Sequence, residues 1–134
     1  MGQSPEARFW ENVDKSGDCW LWRGYLKPNG YGTFYPGGGR GAPKVYAHRY
    51  AYELVVGPIP EGAEIDHTCN VRCCVNPAHM EPVSHRTNLD RAVERRTQCK
   101  HGHTLADAYR IAGNRVCRTC RIEASRRTRA KVRA

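Results

Sequence analysis

The sequence has no long apolar run. Its mean hydropathy is −0.73 and charged residues make up 26% of its 134 positions. No stretch approaches the roughly 20 apolar residues of a membrane span. The first residues, MGQSPEARFWEN, have no apolar centre of the kind that a secretory signal requires. We therefore expect a soluble cytoplasmic protein with no membrane partner, in which thiols stay reduced.

Acidic residues are scarce in the last third of the chain. The net charge is +9, but residues 1–90 carry nine Lys/Arg against ten Asp/Glu. Residues 91–134 carry thirteen Lys/Arg against three Asp/Glu. This asymmetry favours an arm that binds a polyanion, with nucleic acid as the first candidate. A solvated basic tail and an acidic membrane surface are the alternatives.

The spacing of apolar residues predicts a small α+β chain without internal repeats. Turn residues, among them the glycine-rich stretch 36–41, separate the predicted elements. From the N-terminus we predict a helix at 4–13, strands at 19–26 and 31–35, a strand leading into a helix at 44–56, two short strands within 63–84, and a helix at 85–97 capped by Ser84.

The seven cysteines are clustered with histidines. An odd number argues against a simple disulfide framework, and the clustering favours zinc. Cys69, Cys74 and His79 form a C-x4-C-x4-H pattern, although the neighbouring Cys73 competes with Cys74. A fourth ligand is needed and Cys19 is the remaining upstream cysteine; the alternative is that Cys19 is simply buried beside two tryptophans.

A second set of four ligands lies near the C-terminus. Cys99 precedes two histidines in CKHGH, and Cys117 and Cys120 form the C-x2-C pair of CRTC. Such a pair is a strong zinc signal when it has upstream partners. A redox function is the alternative, but no βαβ pattern surrounds the pair. We expect zinc to be required for this small unit to fold.

Three polar residues that flank the Cys69–His79 pattern can do hydrolytic chemistry. Asp66 and His67 are adjacent on a predicted strand, and Asn88 lies in the first turn of the following helix. A neutral imidazole can take a proton from water near neutral pH. Carboxylate and amide oxygens suit a magnesium ion. Taken singly, an Asp-His pair is more often a surface feature and such an Asn more often a helix cap.

The combination of motifs between Phe9 and Arg91 resembles the HNH, or His-Me finger, nucleases. The resemblance is to phage HNH proteins and their relatives among the His-Cys box homing endonucleases. It implies a zinc-stabilised ββα-metal core with an N-terminal antiparallel sheet and a C-terminal zinc knuckle. The motifs that carry it are CWLW, GYG, AHRYAYE, IDHTC, CCVNPAHMEPV and TNLDR.

The resemblance also implies roles for the polar residues. His67 would be the general base, while Asp66 and Asn88 would hold Mg²⁺ or another divalent cation. Arg49 would contact the scissile phosphate, or else pair with Glu53 on its own helix. The family spacing favours Cys74 over Cys73 and His103 over His101. The implied zinc ligands are Cys19, Cys69, Cys74 and His79 for the first ion, and Cys99, His103, Cys117 and Cys120 for the second.

We therefore predict an endonuclease that hydrolyses double-stranded DNA. Its nuclease domain would span 1–97, a zinc-binding unit 98–122 and a basic tail 123–134, in the host cytoplasm if the protein is phage-encoded. A catalytically weak DNA-binding or packaging accessory and an RNA-binding knuckle protein are the alternatives, and a homodimer stays open. The predicted DNA-binding residues are Arg115, Arg118, Arg121, Arg126, Arg127 and Arg129.

Overall fold

The computed structural model describes residues 2–133. Over these residues the chain forms four α-helices and eight strands of two to four residues. The strands pair antiparallel in four separate two-stranded sheets. No helix between residues 2 and 133 is both long and apolar enough to cross a membrane. The chain divides into two compact units, and the division falls between Asn88 and Leu89.

The first unit begins with a helix and two small sheets. Ser4 caps the first helix by accepting a hydrogen bond from the N–H of Ala7, as its position before Pro5 predicts. The elements, in chain order, are α1 (Pro5–Glu11), β1 (Val13–Asp14), β2 (Leu21–Trp22), β3 (Thr33–Phe34) and β4 (Val45–Tyr46), with β1 paired to β2 and β3 to β4.

The predicted N-terminal sheet is therefore two sheets. The two aromatic segments meet around their turn through a Leu26–Gly32 bridge and through hydrogen bonds from Lys27 N to Tyr31 O and from Thr33 N to Tyr25 O. A Cβ on Gly32 would overlap the Trp22 indole, so the chain passes this point only as glycine.

A helix, a hairpin and a second helix complete the unit. These elements are α2 (Ala47–Val55), β5 (Glu64–His67), a 3₁₀ turn (Pro77–His79), β6 (Met80–Val83) and α3 (His85–Glu94), which continues past Asn88. The switch from β4 directly into α2 matches the predicted strand and helix at 44–56. The strands β5 and β6 are the two predicted within 63–84.

The core of the first unit is aromatic and lies under α1 and α2. Phe9 is fully buried; it stacks on Trp22 with ring centroids 4.9 Å apart and meets Phe34 edge-on at 5.2 Å. Apolar residues of α2 and of the hairpin close this cluster, which packs the hairpin against the helix. The buried members are Phe9, Trp22, Phe34, Ala47, Ala51, Tyr52, Ile65, Val75 and Met80.

The second unit has little core. Its elements after α3 are β7 (Tyr109–Ile111), β8 (Asn114–Val116) and α4 (Arg118–Arg133). Leu105 and Cys117 are its buried apolar residues among those described. The β7–β8 hairpin turns at Ala112 and Gly113, both with positive φ, and the sequence analysis did not predict it. The basic segment 118–133 forms the continuous helix α4, in which no residue is buried.

Candidate functional site

The candidate site lies on the β5–β6 hairpin. Asp66 pairs with Glu81 and His67 with Met80 in the register of the two strands. Asp66 is 3% exposed and His67 is 5% exposed. Charged and titratable groups are rarely buried this deeply unless they are paired or functional. The predicted pair therefore lies inside the unit rather than on a surface turn.

One nitrogen of His67 is held by the backbone. Its Nε2 lies 2.9 Å from the carbonyl oxygen of Cys74. A carbonyl only accepts hydrogen bonds, so this contact puts the imidazole proton on Nε2 and the lone pair on Nδ1. Cys74, a member of the first zinc-type pattern, therefore determines through its carbonyl which nitrogen of His67 carries the proton.

A second buried histidine lies beside the first. The rings of His48, on α2, and His67 have centroids 4.9 Å apart, and Tyr31 lies 5.3 Å from His48. Burial, then the nearby charges of His67 and Arg49, lowers the pKa of His48 to about 3. His48 is therefore neutral at physiological pH. Its Nδ1 is buried without a hydrogen-bond partner among residues 2–133.

A cavity of about 320 Å³ opens next to this histidine. Arg49 lies in its wall, as does the carboxylate-bearing Glu64 at the start of β5. Apart from Ile65, the remaining lining residues are aromatic or polar, which suits a polar ligand group. They are Asn29, Tyr31, Tyr46, His48 and Ile65.

Asn88 meets β5 through Glu64. The N–H of Thr87 donates to Ser84 Oγ at 3.1 Å, which confirms the predicted cap of α3. The Asn88 amide then donates from Nδ2 to Glu64 Oε2 at 2.5 Å, and His85 Nδ1 lies 2.6 Å from Oε1 of the same carboxylate. The hydrogen bonds from Asn88 and from His85 lower the pKa of Glu64.

The structure connects Asn88 to the strand of Asp66 and His67 by an unexpected link. Asn88 is tied to Glu64, two positions before Asp66. The sequence analysis gave Glu64 and His85 no role, because a contact between a strand and a later helix leaves no local spacing pattern. The only available signal was that an acidic residue stands two positions before Asp66, on the same side of a strand.

The first predicted cysteine and histidine set comes together in space. The ligand atoms of Cys19, Cys69, Cys74 and His79 all lie within 4.8 Å of one another. His79 Nδ1 is 3.6 Å from the sulfur of Cys19 and 3.6 Å from that of Cys74. With Zn–S near 2.3 Å and Zn–N near 2.0 Å, a tetrahedral ion needs S–N edges of about 3.6 Å. The set can hold a zinc ion.

Strand pairing explains how Cys19 reaches this cluster. The N–H of Trp22 donates to Cys73 O at 2.9 Å and that of Val75 donates to Trp20 O at 2.7 Å. These bonds align the Cys19 segment with the loop that carries Cys74. Burial and the neighbouring thiols raise the pKa of Cys19 to about 12. A cation would relieve the cost of ionising three close thiols.

The second set also converges, with His103 rather than His101. Cys99, His103, Cys117 and Cys120 have their ligand atoms within 4.8 Å. His103 Nδ1 is 3.6 Å from Cys99 Sγ and 3.3 Å from Cys120 Sγ, and those two sulfurs are 3.7 Å apart. His103 Nε2 faces Glu123 at 3.8 Å, the kind of outer partner that orients a metal-bound imidazole.

The predicted DNA-binding arginines have different surroundings. Arg115 donates to the carbonyls of Val93, Glu94, Arg96 and Leu105 at 2.9–3.3 Å, so it closes the C-terminal end of α3. Arg118 lies 3.5 Å from Asp107. The other four stand on α4, where no residue is buried: Arg121, Arg126, Arg127 and Arg129.

Comparison with known proteins defines the class. Residues 45–89 match the family model described as HNH endonuclease. This segment runs from β4 to α3 and contains Asp66, His67 and Asn88. The resemblance inferred from the motifs is therefore confirmed, and an HNH domain of this kind indicates a nuclease.

The chain is also similar to several phage proteins. It is 31% identical over 83 residues to Protein 7.7 of Escherichia phage T7, covering 62% of this chain and 61% of that protein. It is 29% identical over 92 residues to Protein 2.8 of the same phage, covering 69% and 60%. It is 43% identical over 42 residues to the gene 5.3 protein of Enterobacteria phage T3, covering 31% and 42%.

The chain thus contains a segment that matches the HNH endonuclease model, and it is similar to phage proteins. Its matches span between about two fifths and three fifths of the length of these curated relatives. No solved structure matches it significantly.

Proposed function

We propose that the protein is a metal-dependent endonuclease that hydrolyses phosphodiester bonds in DNA. In this proposal β5, β6 and α3 are the two strands and the helix of a ββα-metal core. The observation that carries it is the contact between His67 Nε2 and Cys74 O at 2.9 Å. It orients the imidazole so that the basic nitrogen is Nδ1, as a general base requires.

His67 acts first in the proposed reaction. Its Nδ1 takes a proton from a water molecule. The resulting hydroxide attacks the scissile phosphorus while the P–O bond to the leaving oxygen breaks, and that oxygen keeps the bonding electron pair. The Cys74 carbonyl accepts a hydrogen bond from Nε2–H in both the neutral and the protonated state of His67. This bond stabilises the imidazolium. A neutral His48 beside it adds no opposing charge at pH 7, since its pKa is held at about 3.

Asp66 and Asn88 would hold the catalytic cation. A carboxylate and an amide oxygen are hard donors that fit Mg²⁺, which keeps several water ligands in such sites. When bound, this cation polarises a phosphoryl oxygen and stabilises the charge that develops on the leaving oxygen. Arg49, which lines the adjacent cavity, would contact the phosphate.

The two cysteine and histidine sets would each bind a structural Zn²⁺. The first would fix the loop that carries Cys74 and so the tautomer of His67. The exposed arginines of α4 would bind DNA phosphates without reading bases. Double-stranded DNA is the expected substrate, and a phosphate-binding helix of this kind would give affinity for it without sequence selection.

A plasmid assay tests the proposal. Supercoiled plasmid is incubated with the zinc-loaded protein in Mg²⁺ and in EDTA, beside His67→Ala and the matched control His101→Ala. His101 is exposed and lies outside the second ligand set. We expect nicked or linear product from wild type and His101→Ala in Mg²⁺, a loss of at least about a hundredfold in His67→Ala, and none in EDTA.

The accessory protein is the second candidate, and the sixteen-residue basic helix α4 favours it. Equal cutting by wild type and His67→Ala would show a contaminating nuclease or a different base. DNA binding without any cutting across Mg²⁺, Mn²⁺ and Co²⁺ would replace the nuclease by this second candidate. Zinc content of His67→Ala, measured by mass spectrometry, shows whether its fold is retained.

A further inference from the structure

We infer that Glu64 is a positioning residue that sets the orientation of the Asn88 side-chain amide. This inference rests on the proposed function of Asn88 as a cation ligand. Glu64 Oε2 accepts from Asn88 Nδ2 at 2.5 Å. Since the amide is planar, a donor nitrogen fixed on Glu64 leaves the carbonyl oxygen Oδ1 pointing about 120° away.

The chemical consequence concerns the orientation of the Asn88 amide, which has two alternatives related by a half turn. An asparagine can bind a cation only through Oδ1, because the NH₂ group is a donor with no lone pair to offer. A rotation of the amide by half a turn would present NH₂ to the cation. The carboxylate of Glu64 opposes that rotation, because it would then face an oxygen instead of a donor.

Glu64 is not placed as a cation ligand itself. Both of its carboxylate oxygens are engaged by α3: Oε2 by Asn88 and Oε1 by His85 at 2.6 Å. A ligand would have to give up one of these bonds. The arrangement matches that of outer partners which orient metal-binding side chains in other proteins.

The link between β5 and α3 is not needed for the helix to begin. Ser84 already satisfies the first turn of α3 by accepting from the N–H of Thr87. The pair of Glu64 and His85 is also largely in solvent, with side chains 39% and 69% exposed. Exposed ion pairs contribute little to stability. The contact therefore contributes more to the orientation of the Asn88 amide than to the stability of the fold.

The test measures cation binding rather than cleavage. Mn²⁺ is titrated into the zinc-loaded protein and the free ion is followed by electron paramagnetic resonance. The variants are Glu64→Ala, Glu64→Gln and Asn88→Ala, with Glu61→Ala as the matched control. Glu61 is an exposed carboxylate in the turn just before β5. Melting temperature and zinc content are measured for each variant.

We expect Glu64→Ala to weaken Mn²⁺ binding about 10- to 100-fold, the effect usual for loss of an outer partner. Glu64→Gln retains an oxygen that accepts from Asn88, so it should stay within about threefold of wild type. Glu61→Ala should bind as wild type does. The melting temperatures of Glu64→Ala and Glu61→Ala should differ by no more than a few degrees.

Three outcomes overturn the inference or its premise. Wild-type affinity in Glu64→Ala would remove the positioning role. Equal weakening of Mn²⁺ binding in Glu64→Ala and Glu64→Gln would show that the Glu64 carboxylate binds the cation itself. An Asn88→Ala variant that binds Mn²⁺ as wild type does would instead contradict the proposed function, whatever Glu64 does.

A measurement on the wild-type protein covers the case in which Glu64→Ala does not fold. With ¹⁵N-labelled asparagine, one side-chain proton of Asn88 bonded to a carboxylate should resonate downfield and exchange slowly with water. A pair of Asn88 amide protons that exchange as fast as those of exposed asparagines would contradict the contact.

Discussion

Two buried imidazoles have different environments in the first unit. His67 has one nitrogen bonded to a carbonyl, whereas the Nδ1 of His48 is buried without a hydrogen-bond partner in the described part of the chain. A proton on His48 would be a buried charge 4.9 Å, ring to ring, from His67. The low pKa of His48 follows from this environment. It makes the stability of the fold depend on pH.

The sign of the pH effect follows from the two states of His48. Its pKa falls from an ordinary 6.5 to about 3 on folding. Between these values the unfolded chain binds the proton and the folded chain does not. The stabilising contribution is thus complete above pH 6.5 and is lost as the pH falls toward 3.

We expect His48→Phe to flatten the pH dependence of stability. Between about pH 7.5 and 5.5, wild type should lose about 1.4 kcal/mol more than the variant, because only its unfolded state gains this proton. Urea unfolding at both pH values measures the difference. His101→Phe, an exposed substitution, should keep the wild-type dependence. Parallel curves for wild type and His48→Phe would show that His48 titrates normally in the folded protein.

At this scale the sequence analysis was strongest where spacing along the chain determines geometry. The C-x4-C-x4-H and C-x2-C patterns identified residues that do converge, and Cys73, next to Cys74, stays outside the first cluster. Glu64 was missed for the opposite reason. Its partners lie more than twenty positions away on α3, and only the packing of strand against helix brings them together.

Among the elements, α4 is a helix without a core. Its sixteen residues bury no side chain, although Arg, Ala and Lys are good helix formers. Isolated helices of this length are marginal in water. The helix begins directly after Cys117 and includes Cys120, so the second cluster anchors its first turn. A binding partner for its basic side chains would stabilise the remainder.

We expect α4 to set the salt dependence of DNA binding. The triple variant Arg126→Gln, Arg127→Gln, Arg129→Gln removes three candidate phosphate contacts. Each contact contributes about 0.9 to the slope of log K against log salt, so the slope should fall by about 3. Fluorescence anisotropy with a duplex at several salt concentrations measures it. An unchanged slope would mean that α4 does not contact phosphate.

Arg115→Gln is the matched control for this experiment. Its guanidinium donates to four carbonyls around the end of α3. Loss of these bonds should lower the stability of the second unit by about 1 kcal/mol or more. The salt slope should stay close to that of wild type, because this side chain is already engaged. A salt slope reduced as much as in the triple variant would show that Arg115 does contact DNA phosphates.

The sequence predicted the long elements well and the short sheets less well. Hydrophobic periodicity and caps identify α1, α2 and α3, since each helix is fixed by its own residues. The pairing of β2 with β1 and of β3 with β4 was not predicted, because strands of two residues are too short to show an alternating pattern. The β7–β8 hairpin was missed because its strands are only three residues long and largely polar.

Across the whole molecule, each compact unit contains one complete ligand set. Cys19, Cys69, Cys74 and His79 lie before the division at Asn88 and Leu89, and the second set lies after it. Neither ion would need a ligand from the other unit. Small units with little core commonly depend on metals for folding. The two units should therefore lose their structure independently.

We expect wild type to bind two zinc ions and single cysteine variants to lose one, with damage confined to one unit. Cys74→Ala should lose the first zinc and the folded signals of the first unit, including the contact that orients His67. Cys73→Ala is the matched control one position away, outside the first ligand set, and should keep both ions. Cys117→Ala should lose the second zinc and the signals of the second unit. Metal analysis and amide NMR spectra measure these outcomes.

The same variants separate cutting from DNA binding. If α4 delivers the substrate, Cys117→Ala should weaken DNA binding while cutting at saturating DNA continues, because the hairpin with Asp66 and His67 lies in the other unit. Cys74→Ala should abolish cutting at any DNA concentration. The carbonyl that accepts a hydrogen bond from His67 belongs to residue 74, in the loop that this variant disrupts. Loss of both zinc ions and of both sets of signals in Cys117→Ala would show that the units fold as one.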